Sequence, residues 1–297
     1  MTSCSLSMVG SLMILLTYVA WEDMRSTVRR MLVFLSLGDF FVALGNLFGV
    51  VYDIHANSKS VYCKIQSFIT TGFSMYTFLW TMFIGIYMLL IITKRKRTAM
   101  KLIPLFHLIT LFVPLIIVCV AMAYGALGYS MQSGTRDWCW ISDHYMIYQP
   151  HFEQPLTSIL FWQIVAGKGI EIFAYIVTPI VYLFSRRELG TNESSSLFMD
   201  YQILTIQDID RKLILIPLIF FGARVWGTIR FLGVSTGLTV IKCQFWLAVL
   251  QGFGDSAQGF FNAILFVALT RKIRDKFKLL LCCKEEKELE SWERFVK

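Results

Sequence analysis

Between Cys63 and Lys101 the sequence opens on a cysteine and runs through aromatic and apolar residues to Ile92. It closes on Lys94, Arg95, Lys96, Arg97 and Lys101. As a helix, Cys63 to Thr93 would be roughly 45 Å long at about 1.5 Å per residue, longer than a hydrocarbon layer of roughly 30 Å. Such a segment spans a bilayer with tilt or protrudes from it. A cysteine at one end suits an oxidising compartment, and a basic cluster at the other suits the cytoplasm. That polarity orients the rest of the chain.

Six further apolar runs have the same character, so that candidate spans cover 5–21, 31–54, 63–93, 102–124, 158–184, 213–235 and 244–270. The chain is 56% hydrophobic and 16% charged, against roughly 25% charged in ordinary soluble domains. These features predict an all-α membrane protein, a seven-transmembrane helix bundle over 1–270. The net charge of +8 would otherwise suggest nucleic acid, but the basic residues sit at the ends of apolar runs and read as membrane-surface charge. A signal peptide competes with the short first run, yet no basic segment precedes it and no cleavage site precedes Glu22; a helix shortened at its start by the initiator Met is expected instead.

The loops after runs one, three and five and the tail are rich in Arg and Lys, whereas those after runs two, four and six carry only Lys59, Arg136 and Lys242. Positive-inside therefore predicts an N-terminus outside and a C-terminus inside. The Asn192 sequon then falls in an inner loop and stays unmodified. After Thr270, residues 271–281 form an amphipathic pattern with Ile273, Phe277, Leu280 and Leu281 on one face, a predicted eighth helix on the inner leaflet. Cys282 and Cys283 open the 282–297 tail and are palmitoylation candidates, or two ordinary cytosolic thiols.

Cys63 and Cys139 both fall on the predicted outer face. A bridge between them would pin the loop containing Trp138-Cys139-Trp140 over the mouth of the bundle; the alternative is two unrelated thiols. Cys119, inside run four, reads as a core thiol. Charges within spans are costly and need partners or a watery cavity. Asp39, Asp255, Gln258 and Asn262 form one candidate polar network. Lys168 and Glu171 lie three apart on one helix face, with Arg224 of run six at similar depth and Arg230 nearer the outside. Either Glu171 pairs with Arg224 or Arg230 to hold spans five and six together, or Lys168, Arg224 and Arg230 face a cavity and hold an anionic ligand group; Trp140 is a further candidate. Pro114, Pro179 and Pro217 interrupt helix bonding, and Pro217 is a candidate hinge in span six.

No nucleotide-binding glycine loop, His-Glu-x-x-His or Gly-x-Ser-x-Gly motif is present, and the four histidines are scattered. Neither an enzyme, nor a metal site, nor a cofactor is expected.

Taken together, these features resemble the G-protein-coupled receptors. No Asp-Arg-Tyr ends span three and no Asn-Pro-x-x-Tyr ends span seven, so the chain departs from the rhodopsin-like class. Leu215-Ile216-Pro217-Leu218 and Gln258-Gly259-Phe260-Phe261 look like the secretin/adhesion receptors and the cyclic-AMP-receptor-like group. Gly222 comes later than the secretin-type glycine after the proline. The resemblance covers most of the chain, and 34–39, 138–140, 211–220 and 224–226 carry it most clearly. It implies a receptor of the plasma membrane, or of a ciliary membrane, with membrane lipid, an extracellular ligand and a heterotrimeric G protein as partners. A Gq-type phosphoinositide and calcium output is expected. Opening of spans five to seven would expose a cytoplasmic cleft lined by Lys94, Arg95, Lys96, Arg97, Lys101, Arg186, Arg187, Arg211 and Lys212. The alternative is a seven-span transporter or channel using the intramembrane charges, weakened by the lack of a half-to-half repeat; a third reading is a non-signalling scaffold.

Overall fold

The computed structural model describes residues 1–22, 25–51, 61–129, 139–142, 155–193, 216–236, 244–270 and 273–278. Helices α1 (Thr2–Ala20), α2 (Thr27–Val51), α3 (Val61–Ile92) and α4 (Lys96–Ala123) lead into a hairpin of β1 (Leu127–Tyr129) and β2 (Cys139–Ile141). Next comes one rod made of α5 (Pro155–Gln163), a π-helical turn (Ile164–Lys168) and α6 (Gly169–Glu193). Helices α7 (Ile216–Ser235) and α8 (Phe245–Leu269) complete the bundle. Five of these segments, α1 to α4 and the stretch Ile159–Glu188, are long and apolar enough to cross a membrane. Helices α7 and α8 carry Arg224, Arg230 and Asp255, which lower their apolar character.

Small residues let the rods approach closely, the usual solution where lipid removes the hydrophobic drive between helices. On α1, Gly10 leaves room for α8: a Cβ there would lie 2.9 Å from Ala263 Cβ and 3.0 Å from the Gly259 carbonyl. Beside it, the Gly259 amide donates to Ser7 Oγ at 3.0 Å. Gly254 of α8 faces the Ala223 carbonyl of α7 so closely that any Cβ would collide with backbone. Toward the inner end, Trp80 is fully buried and stacks on Phe34 at 5.5 Å, while Phe83 stacks on Phe106 at 4.4 Å. The helical turn at 273–278 docks on this core: Ile273 is fully buried, the Phe277 ring meets Trp21 at 5.5 Å, and Lys276 lies over Trp21.

Two turns shape the ends of α3 and α4. The Lys94 amide donates to Ile91 O and the Arg95 amide to Leu90 O, with Lys94 at φ 61°: a Schellman turn with lysine where glycine is usual. The same pattern closes α4, where Gly125 at φ 69° and Ala126 donate to Met122 and Ala121. This second turn sends the chain into β1, which pairs antiparallel with β2 through Leu127↔Ile141, Gly128↔Trp140 and Tyr129↔Cys139.

One sequence expectation needs correction here. Cys119 is exposed rather than part of the core, because it shares the outward stripe of α4 with Phe112 and Leu115. Helices α1 to α4 start before their apolar runs, so that polar residues such as Lys96 and Arg97 sit inside the first turn of α4. Arg211, Lys212, Cys243, Cys282 and Cys283 lie outside the described residues, as does the side chain of Asn192.

Candidate functional site

The disulfide Cys63–Cys139, with a Cα–Cα distance of 5.4 Å, ties β2 to the first turn of α3. Ser67, one turn further along α3, donates from its hydroxyl to the Trp140 carbonyl. These two links hold the Trp140 ring against the π-helical turn, where a Cβ on Gly167 would stand 3.6 Å from Trp140 Cζ2. Ala166 (φ −90°, ψ 29°) and Gly167 (φ 161°, ψ −66°) leave helical geometry there, so the chain re-enters α6 with Lys168 turned into the bundle. π-Turns of this kind are frequent at functional sites.

Below Trp140 lies a cavity of about 220 Å³ in the disulfide-bearing half of the bundle. Its polar walls include Lys168, Glu171, Arg224, Arg230, Gln251 and Asp255; hydroxyls of Thr70, Thr71 and Ser74 come from α3 and Asn46 from α2. Apolar surface comes from Val42, Phe78, Ile159, Leu160 and Phe231. The five residues expected from sequence to be ligand-cavity or ion-pair candidates, Trp140 included, therefore line one space.

Their pairings differ from the expected ones. Neither Arg224 nor Arg230 bonds Glu171. Lys168 Nζ meets Glu171 Oε2 at 2.7 Å within the same rod, a direct result of their i,i+3 spacing. Glu171 Oε1 accepts from the Tyr175 hydroxyl at 2.9 Å and from Thr228 Oγ1 of α7 at 2.8 Å. With three donors already gathered, Glu171 has no need of an arginine. Arg224, one turn from Thr228, turns to α8 instead: Nη1 donates to Asp255 Oδ1 at 3.2 Å and Nε to Gln258 Oε1 at 3.3 Å, with the guanidinium 5.0 Å from the Phe78 ring centre. Arg230 Nη1 donates to Gln251 Oε1 at 2.9 Å.

The remaining network residues continue this chain inward. Asn262 Nδ2 donates to Asp39 Oδ2 at 2.8 Å, joining α8 to α2, and Asn46 Nδ2 donates to Ser256 Oγ at 3.1 Å one layer above. Gln258 and Asn262 are four apart on α8, so Arg224 and Asp39 address neighbouring turns of a single helix face. All of these groups are buried. Tyr175, Thr228, Gln251, Asn46 and Ser256 were not among the residues expected from sequence. The available signal was a polar residue inside an apolar run; Thr228 also stood four residues from Arg224.

Of the expected cytoplasmic cations, Arg186 and Arg187 are exposed near the inner end of α6. Arg97 and Lys101 lie on the outward stripe of α4, opposite its buried residues Ala99, Ile103 and Phe106. Arg95 and Lys96 are exposed as well, but precede the buried Ala99 by four and three residues and so share its register rather than that of Arg97. Pro217 is the second residue of α7, and 194–215 before it lie outside the described residues. Of the histidines, His107 packs edge-on against Phe34 and Trp80. No cluster of metal-ligating side chains occurs among the described residues.

A helical bundle with a disulfide-pinned hairpin over a charged cavity is the architecture of a G-protein-coupled receptor. Squid rhodopsin superposes with a TM-score of 0.70 over 95% of this chain and 84% of its own, at 13% sequence identity, a likeness of fold. The family model for the slime mold cyclic AMP receptor matches residues 2–278, and the chain belongs to that family. Mouse "G-protein coupled receptor 157" is 33% identical over 293 residues, covering 95% of this chain and 84% of the relative. "Cyclic AMP receptor-like protein A" of Dictyostelium discoideum is 26% identical over 168 residues, 57% of this chain and 42% of the relative. The protein is thus a multi-pass membrane protein of the receptor kind, and these relatives are receptors rather than enzymes.

Proposed function

We propose that this chain is a plasma-membrane receptor that takes an extracellular ligand into the cavity under Trp140 and signals to a heterotrimeric G protein. The observation that carries this reading is continuity. The cavity wall formed by Lys168 and Glu171 touches α7 through Thr228, α7 grips α8 through Arg224, and α8 grips α2 through Asn262 and Asp39. A ligand that alters any of these bonds biases how α6, α7 and α8 sit against one another. Such a bias is what a two-state receptor needs: the agonist favours one state by differential affinity. Pro217 at the start of α7 serves as the hinge, and Arg95, Lys96, Arg186 and Arg187 flank the cleft that opens. The G protein is of the Gq type, with phosphoinositide and calcium output, and a ciliary membrane is a second site of residence.

The test is nucleotide exchange on a panel of purified G proteins, with the full chain reconstituted in nanodiscs. Exchange above background on a Gq-type protein supports the reading, and exchange only on another subtype corrects the coupling. Solute flux in proteoliposomes without any exchange would replace the receptor with a transporter.

A further inference from the structure

We propose that Arg97 and Lys101, with the turn residue Lys94, form a binding surface for anionic phospholipid headgroups of the inner leaflet. The proposal rests on the reading that this end of the bundle faces the cytoplasm. Along α4, the residues Arg97, Lys101, Leu105, Leu108, Phe112 and Leu115 recur at spacings of three and four and all are exposed. The opposite face, from Ala99 through Ile103 and Phe106 to Thr110, is buried in the bundle. The two cations therefore stand directly below the stripe that meets lipid chains, at about 6 Å per four-residue step. A protein entering the middle of the bundle would meet Arg95 and Lys96; a lipid lying along α4 meets Arg97 and Lys101.

Charge and local geometry support the same occupant. Among the described residues, Lys94, Arg97 and Lys101 have no carboxylate in an ion pair with them, the first turn of α4 holds no acidic residue, and its N-cap Arg95 makes no side-chain cap. The Schellman turn closes the chain at Lys94 by backbone hydrogen bonds, and Arg97 follows three residues later in the first turn of α4, with no long loop between them. Clusters of basic residues immediately cytoplasmic to a span attract anionic lipid by about 1 kcal/mol per charge, roughly fivefold in affinity. Long aliphatic stems let both side chains keep their methylenes on the apolar stripe while the charged heads reach phosphate.

The experiment uses the full chain, fluorescently labelled, in nanodiscs of phosphatidylcholine carrying trace labelled phosphatidylinositol bisphosphate, read by energy transfer. The double variant Arg97→Gln/Lys101→Gln should weaken lipid association by about 25-fold, whereas Arg95→Gln/Lys96→Gln should change it by less than about threefold. Melting temperature of each variant checks that the bundle is intact. Equal losses in the two doubles, or none in the first, would overturn the assignment. So would soluble inositol trisphosphate competing as well as the lipid does, which marks a free-phosphate site, or loss of G-protein exchange by the Arg97→Gln/Lys101→Gln variant in pure phosphatidylcholine together with native lipid association in the bisphosphate discs, which marks a protein contact. Exchange on G proteins is read separately, so a failed lipid site leaves the receptor reading standing, and a failed receptor reading leaves the lipid site measurable.

Discussion

At the scale of residues, the central question is how Asp39, Lys168, Glu171, Arg224, Arg230 and Asp255 are all tolerated in the interior of one bundle. Two of the buried acids have a cation against them, Lys168 beside Glu171 at 2.7 Å and Arg224 beside Asp255 at 3.2 Å, while the third, Asp39, accepts from the Asn262 amide at 2.8 Å. Breaking a buried pair on one side strands the other charge, which costs about 3–5 kcal/mol, whereas removing both with apolar groups of similar volume is near neutral. Arg224→Met should therefore abolish or sharply lower surface expression and the melting temperature. Adding Asp255→Leu should restore most of it; failure of the second change to rescue would show that Arg224 is held by Gln258 and Phe78 instead. A smaller effect is expected at Asn262→Ala, which leaves Asp39 without its hydrogen-bond donor and should cost about 1–3 kcal/mol of stability in a thermal melt. The presence of these charges was legible in the sequence, because any ion within an apolar run needs an explanation. Their partners were not. Whether Arg224 meets Glu171 or Asp255 depends on the rotation of α7 against two neighbours, and helical spacing alone leaves that angle open.

At the scale of elements, close packing and the hairpin roof set what the cavity can be. Gly254 and Gly222 make a controlled comparison. Gly254 faces the Ala223 carbonyl with no room for a Cβ, whereas a Cβ at Gly222 meets nothing within 4 Å. Gly254→Ala should push α8 from α7 and lower stability by about 2 kcal/mol or more, as overpacking does. Gly222→Ala should be neutral or stabilising by up to about 1 kcal/mol, as alanine is the better helix former. Melting temperatures of the two variants check this pair, and equal behaviour would mean that α7 and α8 give way freely. The roof is tested through its covalent tie: Cys139→Ser should lower the melting temperature, and a reducing agent should do the same to the native chain while leaving the variant unmoved. The 76-residue separation of the bridged cysteines closes a long loop, a setting in which a disulfide contributes typically 2–4 kcal/mol. Elements were well marked in the sequence by apolar length and basic ends. The π-helical turn was not. Its trace was Ala166-Gly167-Lys168-Gly169, two glycines around a lysine, a pattern equally compatible with an unbroken helix. The outward position of Cys119 was hidden for a related reason: a span in lipid has two apolar faces, and hydropathy cannot say which one meets protein.

At the scale of the whole molecule, orientation follows from two independent asymmetries at opposite ends. Arg25, Lys94, Arg95, Lys96, Arg97, Lys101, Arg186, Arg187 and Lys278 stand exposed at one end, while at the disulfide end Lys64 is the exposed cation among the described residues. Basic residues flanking spans are retained on the cytoplasmic side, and a disulfide persists in an oxidising compartment and is rare in a reducing one. Both predict the Cys63–Cys139 end outside, an orientation that would open the cavity outward and leave the N-terminus extracellular. An N-terminal epitope tag should accordingly be stained on intact cells, and a C-terminal tag only after permeabilisation. The glycosylation sequon gives a second readout: Asn192, near the inner end of α6, should carry no glycan, so glycosidase treatment should leave the mass of the chain unchanged. Reversed staining with a glycosylated Asn192 would put the disulfide in the cytosol and the cavity beyond the reach of any extracellular ligand. The receptor reading would then fail at its first step, whatever the quality of the cavity.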